Sequence, residues 1–350
     1  MSTPASPRLY PDVLYYQRQH RPARPRRPRG RWIWAISGVI VICVIIAGAG
    51  TVLSTPRAIH ALPMSVATRT VTISKAVTSL SVQSYGGDVR VTGGGKSARV
   101  TEQIGYDPQQ GAAAAVTDTV SHGQLSMRVP SCAFRACTDW ITVPSDVFVS
   151  VVSEGGNVAV SGVAGASLDS GGGGVTAISV SGPLTVTSAG GEQGLQDIGG
   201  SLMDESGGNR VVAADITGSS AVIITDGGRL TAKGLSVKSA IISTGGNDAR
   251  LAFATAPASA DITTDGGMAE VVLPGGPYAL TADSEGGSEV VAIPTSPAAK
   301  STLDVTTGGN SLVVRAASSS QVSTNVNPAF LPDPYAVPVA PPARPAPAAP

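Results

Sequence analysis

Histidines and cysteines are the residues of this 350-residue chain best suited to nucleophilic or metal chemistry, and there are three of each. The histidines are His20, His60 and His122, so residues 141–350 contain none. A Ser-His-Asp or Cys-His catalytic site needs a histidine beside its nucleophile. Such a site is therefore excluded from that part of the chain. We expect a protein that is not an enzyme and has no cofactor, with a carboxylate pair as the remaining catalytic alternative.

Two of the cysteines are spaced for a local disulfide. Cys132 and Cys137 would close a six-residue loop, worth about 2 kcal/mol in the loop-entropy model. A metal site would need more ligands, and His122 is the only histidine nearby. We therefore predict a Cys132–Cys137 disulfide and no metal site. Cys43 lies in an apolar segment, where we expect it to act as a small apolar residue.

Four acidic residues directly precede glycine pairs: Glu154, Asp226, Asp265 and Glu285. Calcium-binding β-rolls also stack carboxylates at turns, but they need GGxGxD at a much shorter period, which is absent. We expect solvated turn residues, and calcium binding stays an alternative that calorimetry can test. Catalytic carboxylates in β-helical enzymes lie among long loops, and repeats this short leave little chain for such loops.

The glycine pairs set the period of the chain. They recur about every 19 residues, which indicates stacked copies of one small unit. Glycine adopts positive φ easily, so we interpret the pairs as structural turn residues. A phosphate-binding loop is rejected, because a helix would have to follow each pair, whereas a β-rich run follows. The predicted turn glycines are Gly155, Gly156, Gly173, Gly174, Gly190, Gly191, Gly207, Gly208, Gly227, Gly228, Gly245, Gly246, Gly266, Gly267, Gly286, Gly287, Gly308 and Gly309.

Each period divides into two strands and two turns. Alternating apolar and polar residues follow each pair, as in Ala249 to Phe253 and Ala269 to Leu273, and a second such run leads to the next pair. Turns of variable length, such as 217–220, 274–277 and 294–300, take up the drift of the period. The sequence therefore predicts an all-β fold, a β-solenoid (β-helix) of the single-stranded type with about eight two-strand coils. A propeller or sandwich is the structural alternative.

The solenoid is predicted over residues 71–324. A first copy of the repeat surrounds Gly86 and Gly87, and residues 92–145 form an irregular section that would cap one end. Residues 325–350 contain nine prolines, which predicts a disordered Pro/Ala-rich tail.

An uncharged segment of 22 residues, 32–53, precedes a linker at 54–70. As a helix it would be about 33 Å long, enough to cross the bilayer core of about 30 Å. Trp32 and Trp34 would lie at the membrane interface. We predict an uncleaved single-pass transmembrane helix, with the lipid bilayer as its partner. A cleaved signal peptide remains the alternative, since small residues at 47–50 could be a cleavage site.

The N-terminal tail sets the predicted orientation. Residues 1–31 hold eight arginines and one acid, a net charge of +7, and the rest of the neutral chain carries −7. By the positive-inside rule we expect a disordered cytoplasmic tail and an extracytoplasmic C-terminal domain. Nucleic acid is not an expected partner, because no aromatic stacking module accompanies the arginines.

Two copies match the pattern S/T-x-G-G-x-V-x-V, SYGGDVRV and SEGGNVAV, and three more share its S/T-x-G-G part before a β-rich run: TDGGRL, TDGGMAEVV and SEGGSEVV. Together with the membrane anchor, this pattern resembles the bacterial "putative adhesin" family of unknown function, over roughly residues 71–320. The resemblance implies a β-solenoid that adheres to a cell-envelope polymer or protein. The family offers no catalytic or ligand residues that could be matched to positions of this sequence. Related domains occur in envelope-stress systems, so a sensing or regulatory membrane protein is the alternative function.

Overall fold

The computed structural model describes residues 65–106, 117–129 and 137–317. The predicted arginine-rich tail, membrane helix and Pro/Ala-rich tail lie outside these ranges, as does most of the linker. All regular structure in the described residues is β, and none of it is a helix long and apolar enough to cross a membrane. The predicted all-β class is thus confirmed for this part of the chain.

The described residues contain 23 β-strands. They are β1 (Ser65–Thr72), β2 (Ser79–Ser84), β3 (Asp88–Thr92), β4 (Arg99–Tyr106), β5 (Thr117–Ser121), β6 (Gln124–Val129), β7 (Cys137–Thr142), β8 (Phe148–Ser153), β9 (Val158–Ser161), β10 (Gly165–Ser170), β11 (Val175–Val180), β12 (Leu184–Ser188), β13 (Gln193–Ile198), β14 (Leu202–Ser206), β15 (Val211–Thr225), β16 (Leu230–Thr244), β17 (Ala249–Phe253), β18 (Ser259–Thr264), β19 (Ala269–Leu273), β20 (Ala279–Asp283), β21 (Glu289–Ala292), β22 (Thr302–Thr307) and β23 (Leu312–Ala316).

The strands form two parallel ladders, here called sheet A and sheet B. Sheet A includes β3, β7, β9, β11, β13, β17, β19, β21 and β23. Sheet B includes β2, β6, β8, β10, β12, β14, β18, β20 and β22. The first halves of β15 and β16 lie in sheet A, and their second halves lie in sheet B. The chain therefore alternates between the sheets.

The ladders are in register over one repeat of the sequence. In sheet A, Val158 pairs with Val175, Val175 with Gln193 and Gln193 with Val211, which are 17, 18 and 18 residues apart. Equivalent residues of successive repeats thus lie side by side. Alternate side chains, mostly Val, Leu, Ile and Ala, point between the sheets and form one continuous buried core. Small β-branched residues suit such a core because they pack well on a pleated surface.

Two kinds of connection join the sheets. From sheet B to sheet A the connection holds a glycine pair and is nearly constant, with four residues at 154–157, 171–174 and 226–229. In the other direction it grows from three residues at 181–183 to nine at 293–301. The drift of the period lies at this second edge. At 217–220 the chain passes from sheet A to sheet B as predicted, but the expected break in the strand is wrong, because β15 runs through these residues and its pairing with β16 continues there.

The strand pairs are not stacked in the order of the sequence. The pair β2–β3 lies between β6–β7 and β8–β9. At the opposite end, β22–β23 lies between β18–β19 and β20–β21. The described residues hold eleven such pairs rather than about eight, because each of the nine glycine pairs joins one and two more come from residues 79–142, where the glycine rhythm is broken or absent.

Antiparallel strands occur only at the N-terminal end of the described stack. In sheet A, β4 pairs with β7 and β1 pairs with β4. In sheet B, β5 pairs with β6. The section 92–145 was predicted to be irregular. It contains the antiparallel strands β4 and β5 and also the regular pair β6–β7.

Candidate binding groove

The predicted turn glycines line one edge of the two sheets, where the backbones of neighbouring repeats come very close. A Cβ atom on Gly156 would lie 2.0 Å from the Gly87 carbonyl oxygen, and one on Gly173 would lie 2.2 Å from that of Gly156. No side chain fits in such a gap. Seven of the nine pairs also contain a glycine with positive φ: Gly191, Gly208, Gly227, Gly246, Gly266, Gly286 and Gly309. The glycine edge is therefore filled by backbone.

A column of buried hydroxyl groups supports the same edge. Ser153 Oγ donates to the Gly156 carbonyl oxygen at 3.1 Å, and Thr225 Oγ1 donates to that of Gly228 at 2.8 Å. The same bond to the residue three positions on is made by Ser84, Ser170, Thr244, Thr264, Ser284 and Thr307. Sequence reasoning noted Ser and Thr near the glycines but missed this role. The spacing of three residues was the available signal.

The four acids beside glycine pairs, Glu154, Asp226, Asp265 and Glu285, are all exposed. Among the described residues there is no group of three or more His, Cys, Asp or Glu side chains arranged to hold a metal ion. His122, the described histidine, is exposed in the turn between β5 and β6, where its Nδ1 lies 2.8 Å from Ser121 Oγ. These residues are not gathered into one site.

Cys137 is buried in β7 and disulfide-bonded. Cys132 lies outside the described residues, so the pairing of these two cysteines stays a prediction.

The outer face of sheet B bears a strip of apolar side chains across three neighbouring strands. Met203, Val222 and Ile241 follow one another in register, and Met203 and Ile241 are 44% and 45% exposed. Large apolar side chains grouped on a surface are typical of interaction sites. The strip ends at Asp261, the residue paired with Ile241 in β18.

A groove of about 730 Å³ begins at Ile241. Its floor is the outer face of sheet B, where Asp261 pairs with Asp304 and Asp304 with Thr281. Residues 295–297 of the long connection line one side. Ser239, Ser259 and Thr302 add hydroxyl groups to the lining. The groove can therefore offer hydrogen bonds and negative charge beside an apolar strip.

The electrostatics of the groove are set by its two carboxyl groups. Burial raises the pKa of Asp261, and the neighbouring negative charge of Asp304 raises it further. A positively charged or hydrogen-bonding group in the groove would relieve this repulsion.

The outer face of sheet A differs. Arg250 lies 3.6 Å from an oxygen of Asp248 and 3.8 Å from one of Glu270, and Arg315 lies 2.9 Å from the other oxygen of Glu270. Here Arg250 and Arg315 are already paired with acids of the protein, so these charges have less to offer a ligand.

Two carboxyl groups that sequence reasoning missed lie inside the fold. Asp204 points into the core, and the Gln193 amide, turned so that its nitrogen faces the carboxyl group, donates to the two oxygens at 2.6 and 3.1 Å. Burial raises the pKa of Asp204 to about 7, although this hydrogen bond lowers it in part. Asp139 lies beside Glu102, its partner in β4, and burial together with that neighbour raises its pKa to about 7.

No protein-family model matches the sequence, and no curated protein matches it either. Solved structures do resemble it at low identity. A "putative adhesin" of Parabacteroides distasonis is 14% identical, with a TM-score of 0.38 over 71% of this chain and 97% of its own. A "putative lipid binding protein" of the same organism is 11% identical, with a TM-score of 0.35 over 73% and 97%. A "putative adhesin" of Bacteroides fragilis is 13% identical, with a TM-score of 0.33 over 72% and 97%.

Proposed function

We propose that this protein is a membrane-anchored, extracytoplasmic binding module that holds a cell-envelope polymer against the outer face of sheet B and catalyses no reaction. In this proposal the two ladders form a flattened β-solenoid, and residues 32–53 anchor it as a single transmembrane helix. The uncharged 22-residue segment and the arginines before it support the anchor and its orientation.

The observation that carries the proposal is the contrast between the two outer faces. Sheet B presents an apolar strip that leads into a groove of about 730 Å³ lined by hydroxyl groups and two carboxyl groups. Sheet A presents arginines and acids that neutralise one another. A long ligand can follow the outer face of sheet B from strand to strand, because equivalent positions recur on every strand, about 4.8 Å apart. Repeat proteins commonly bind through such extended surfaces.

The chain offers a matched experiment on a single strand. Ile241 and Lys233 both lie in β16, but Ile241 faces out from sheet B and Lys233 from sheet A. A photo-crosslinking amino acid is placed at either position in the full-length protein on intact cells. We expect wall glycan to be captured from position 241 and not from position 233. Equal capture from both positions, or none from 241, would contradict the proposal.

The second candidate is a sensing or regulatory membrane protein. Asp139 and Asp204 favour it, because buried carboxyl groups with a pKa of about 7 change charge within the physiological range. In that case position 241 would capture a membrane kinase or a sigma-factor regulator. Replacing the arginines between residues 18 and 29 by lysine would then alter a phenotype without affecting insertion. A silent exchange would leave the tail with only a topological role.

A further inference from the structure

The last described strand pair of the chain is not the last in space. β22 lies between β18 and β20, and β23 lies between β19 and β21. The chain reaches β20 from β19 through residues 274–278, and this connection passes over one strand position. That position forms a slot, which is filled only when the chain returns through residues 293–301.

The slot holds β22–β23 by the contacts that build the rest of the core. Leu303, Val305, Leu312 and Val314 are at most 1% exposed. Backbone bonds are made to both neighbours: Thr302 N donates to Ala258 O at 3.0 Å, and Leu312 N donates to Ser288 O at 2.8 Å. The pair is therefore held in the slot by buried apolar side chains and by backbone hydrogen bonds to both neighbours.

Within the described residues, one connection ties β22–β23 to the rest of the fold. That connection has nine residues, whereas three suffice at 162–164, 181–183 and 199–201, which join the same two sheets. Fully extended, nine residues reach about 30 Å. Sheets packed face to face are only about 10 Å apart. The connection is thus long enough for the pair to reach a neighbouring molecule. Until a pair refills the slot, β20 and β21 lack their described strand partners.

We propose that β22–β23 is exchanged between two copies of this chain, each copy filling the slot of the other. The exchanged pair makes the same contacts in either molecule, so the two forms differ only in the connection and in the cost of association. A second copy is the fitting occupant, since it supplies the same four core side chains and the same Arg315 for Glu270. Exchange also rebuilds the sheet B groove from two chains, because Thr302, Leu303 and Asp304 line it.

The test uses two differently tagged full-length chains expressed in the same cells, both with Cys43→Ala. One carries Ser259→Cys and the other Thr302→Cys, at positions that are direct partners in the parallel ladder. Such partners lie near the 4.4–6.8 Å Cα separation that a disulfide spans. We expect a disulfide between the two tags after oxidation, since exchange places position 302 of one chain beside position 259 of the other.

Two controls make the result decisive. Both cysteines in one chain should bridge within that chain, which shows that the geometry permits the bond. Ser239→Cys in one chain and Ser259→Cys in the other should give no mixed disulfide, because neither position belongs to the exchanged pair, although the two are partners within a chain. The proposal is overturned if the single chain bridges but the 259/302 mixture gives no more mixed disulfide than the 239/259 mixture.

Discussion

Each end of the described stack contains a strand pair inserted between two others, but the outermost strands differ between the two ends. At the N-terminal end β2–β3 lies inside β6–β7, and at the C-terminal end β22–β23 lies inside β20–β21. The N-terminal inserted pair continues into other described strands on both sides, and antiparallel β1, β4 and β5 flank it further out. At the C-terminal end the outer strand β21 is exposed throughout, with Val290 51% exposed.

The comparison teaches how a parallel stack can protect its ends. A strand pair at the end of a stack has one neighbour and opens easily, whereas an inserted pair has two. Insertion therefore gives the first and last regular pairs of the described chain a neighbour on each side. The exposed edge that remains is a site for unwanted pairing. Antiparallel strands occupy it at one end. At the other, Glu289 takes the place that apolar Leu312 holds in the next strand, and a charge there discourages association.

The largest predicted effect compares two leucines at equivalent positions. Leu80 in β2 and Leu303 in β22 are each 1% exposed and point into the same core. Either substitution by alanine should cost about 2–5 kcal/mol of stability, from lost burial and the cavity left behind. Hydrogen exchange should localise the two effects differently. Leu303→Ala should speed exchange in β22–β23 and in β20–β21, which pairs with it, whereas Leu80→Ala should lower protection across β2 to β9.

Protection lost equally at both ends in both variants would contradict this difference. Leu280→Ala in the outer strand β20 is the matched control, because Leu280 is only half-buried and should cost less.

Local patterns account for the part of this fold that could be predicted. The strands at 249–253 and 269–273 were predicted to the residue, since alternation and glycine turns are encoded within a few positions. The inserted order was not, because it depends on which repeats meet in space. The only local trace of it is the length of the connection that contains residues 294–300, which was interpreted as one more variable turn.

The candidate site was harder to predict than the fold. Ile241, Asp261 and Asp304 are 20 and 43 residues apart, so they become neighbours only through the ladder register. Asp204 could have been found, since alternation from Leu202 to Ser206 places it on the inward face. Its partner Gln193 could not, because the contact joins opposite sheets.

The second prediction concerns pH at the N-terminal end. The pKa of Asp139 is about 7 in the folded protein, against a usual value of 3.8. Between these values the folded protein holds more protons than the unfolded chain. The stabilising contribution is therefore fully present below about pH 4 and is lost as the pH rises through 7. At about 1.4 kcal/mol per pKa unit, this amounts to a few kcal/mol.

We expect β7 to unfold at a lower temperature at pH 8 than at pH 5, followed by the fluorescence of Trp140, the next residue. Asp139→Asn should remove this part of the pH dependence and leave that of Asp204. An unchanged pH dependence in the variant would show that Asp139 does not titrate in this range.

The third prediction adds a methyl group to a glycine of a neighbouring strand pair, so that it meets the backbone of each inserted pair. A Cβ atom on Gly156 would lie 2.0 Å from Gly87 O at the N-terminal end, and one on Gly287 would lie 2.1 Å from Asn310 O at the C-terminal end. Either alanine substitution should cost about 1–3 kcal/mol by overpacking, measured by denaturant unfolding. Gly155→Ala is the control, since a Cβ there meets nothing within 4 Å. A control as damaging as Gly156→Ala would show that conformation, rather than close packing, requires these glycines.

The smallest predicted effect compares two ion pairs, one between the inserted pair β22–β23 and its neighbour and one in the middle of the stack. Arg315 of the inserted pair lies 2.9 Å from Glu270 of β19, so this contact joins β23 to its slot. Arg315→Met keeps most of the apolar stem and should cost about 0.2–1 kcal/mol, less at high salt, because both side chains remain partly exposed. Arg210→Met removes a more exposed pair with Glu192 in the middle of the stack and should cost less still. If β22–β23 is the element that opens, only Arg315→Met should speed hydrogen exchange there, since Arg210 lies several strand positions away. Equal exchange in both variants would mean that the slot is held by its apolar side chains and backbone bonds alone.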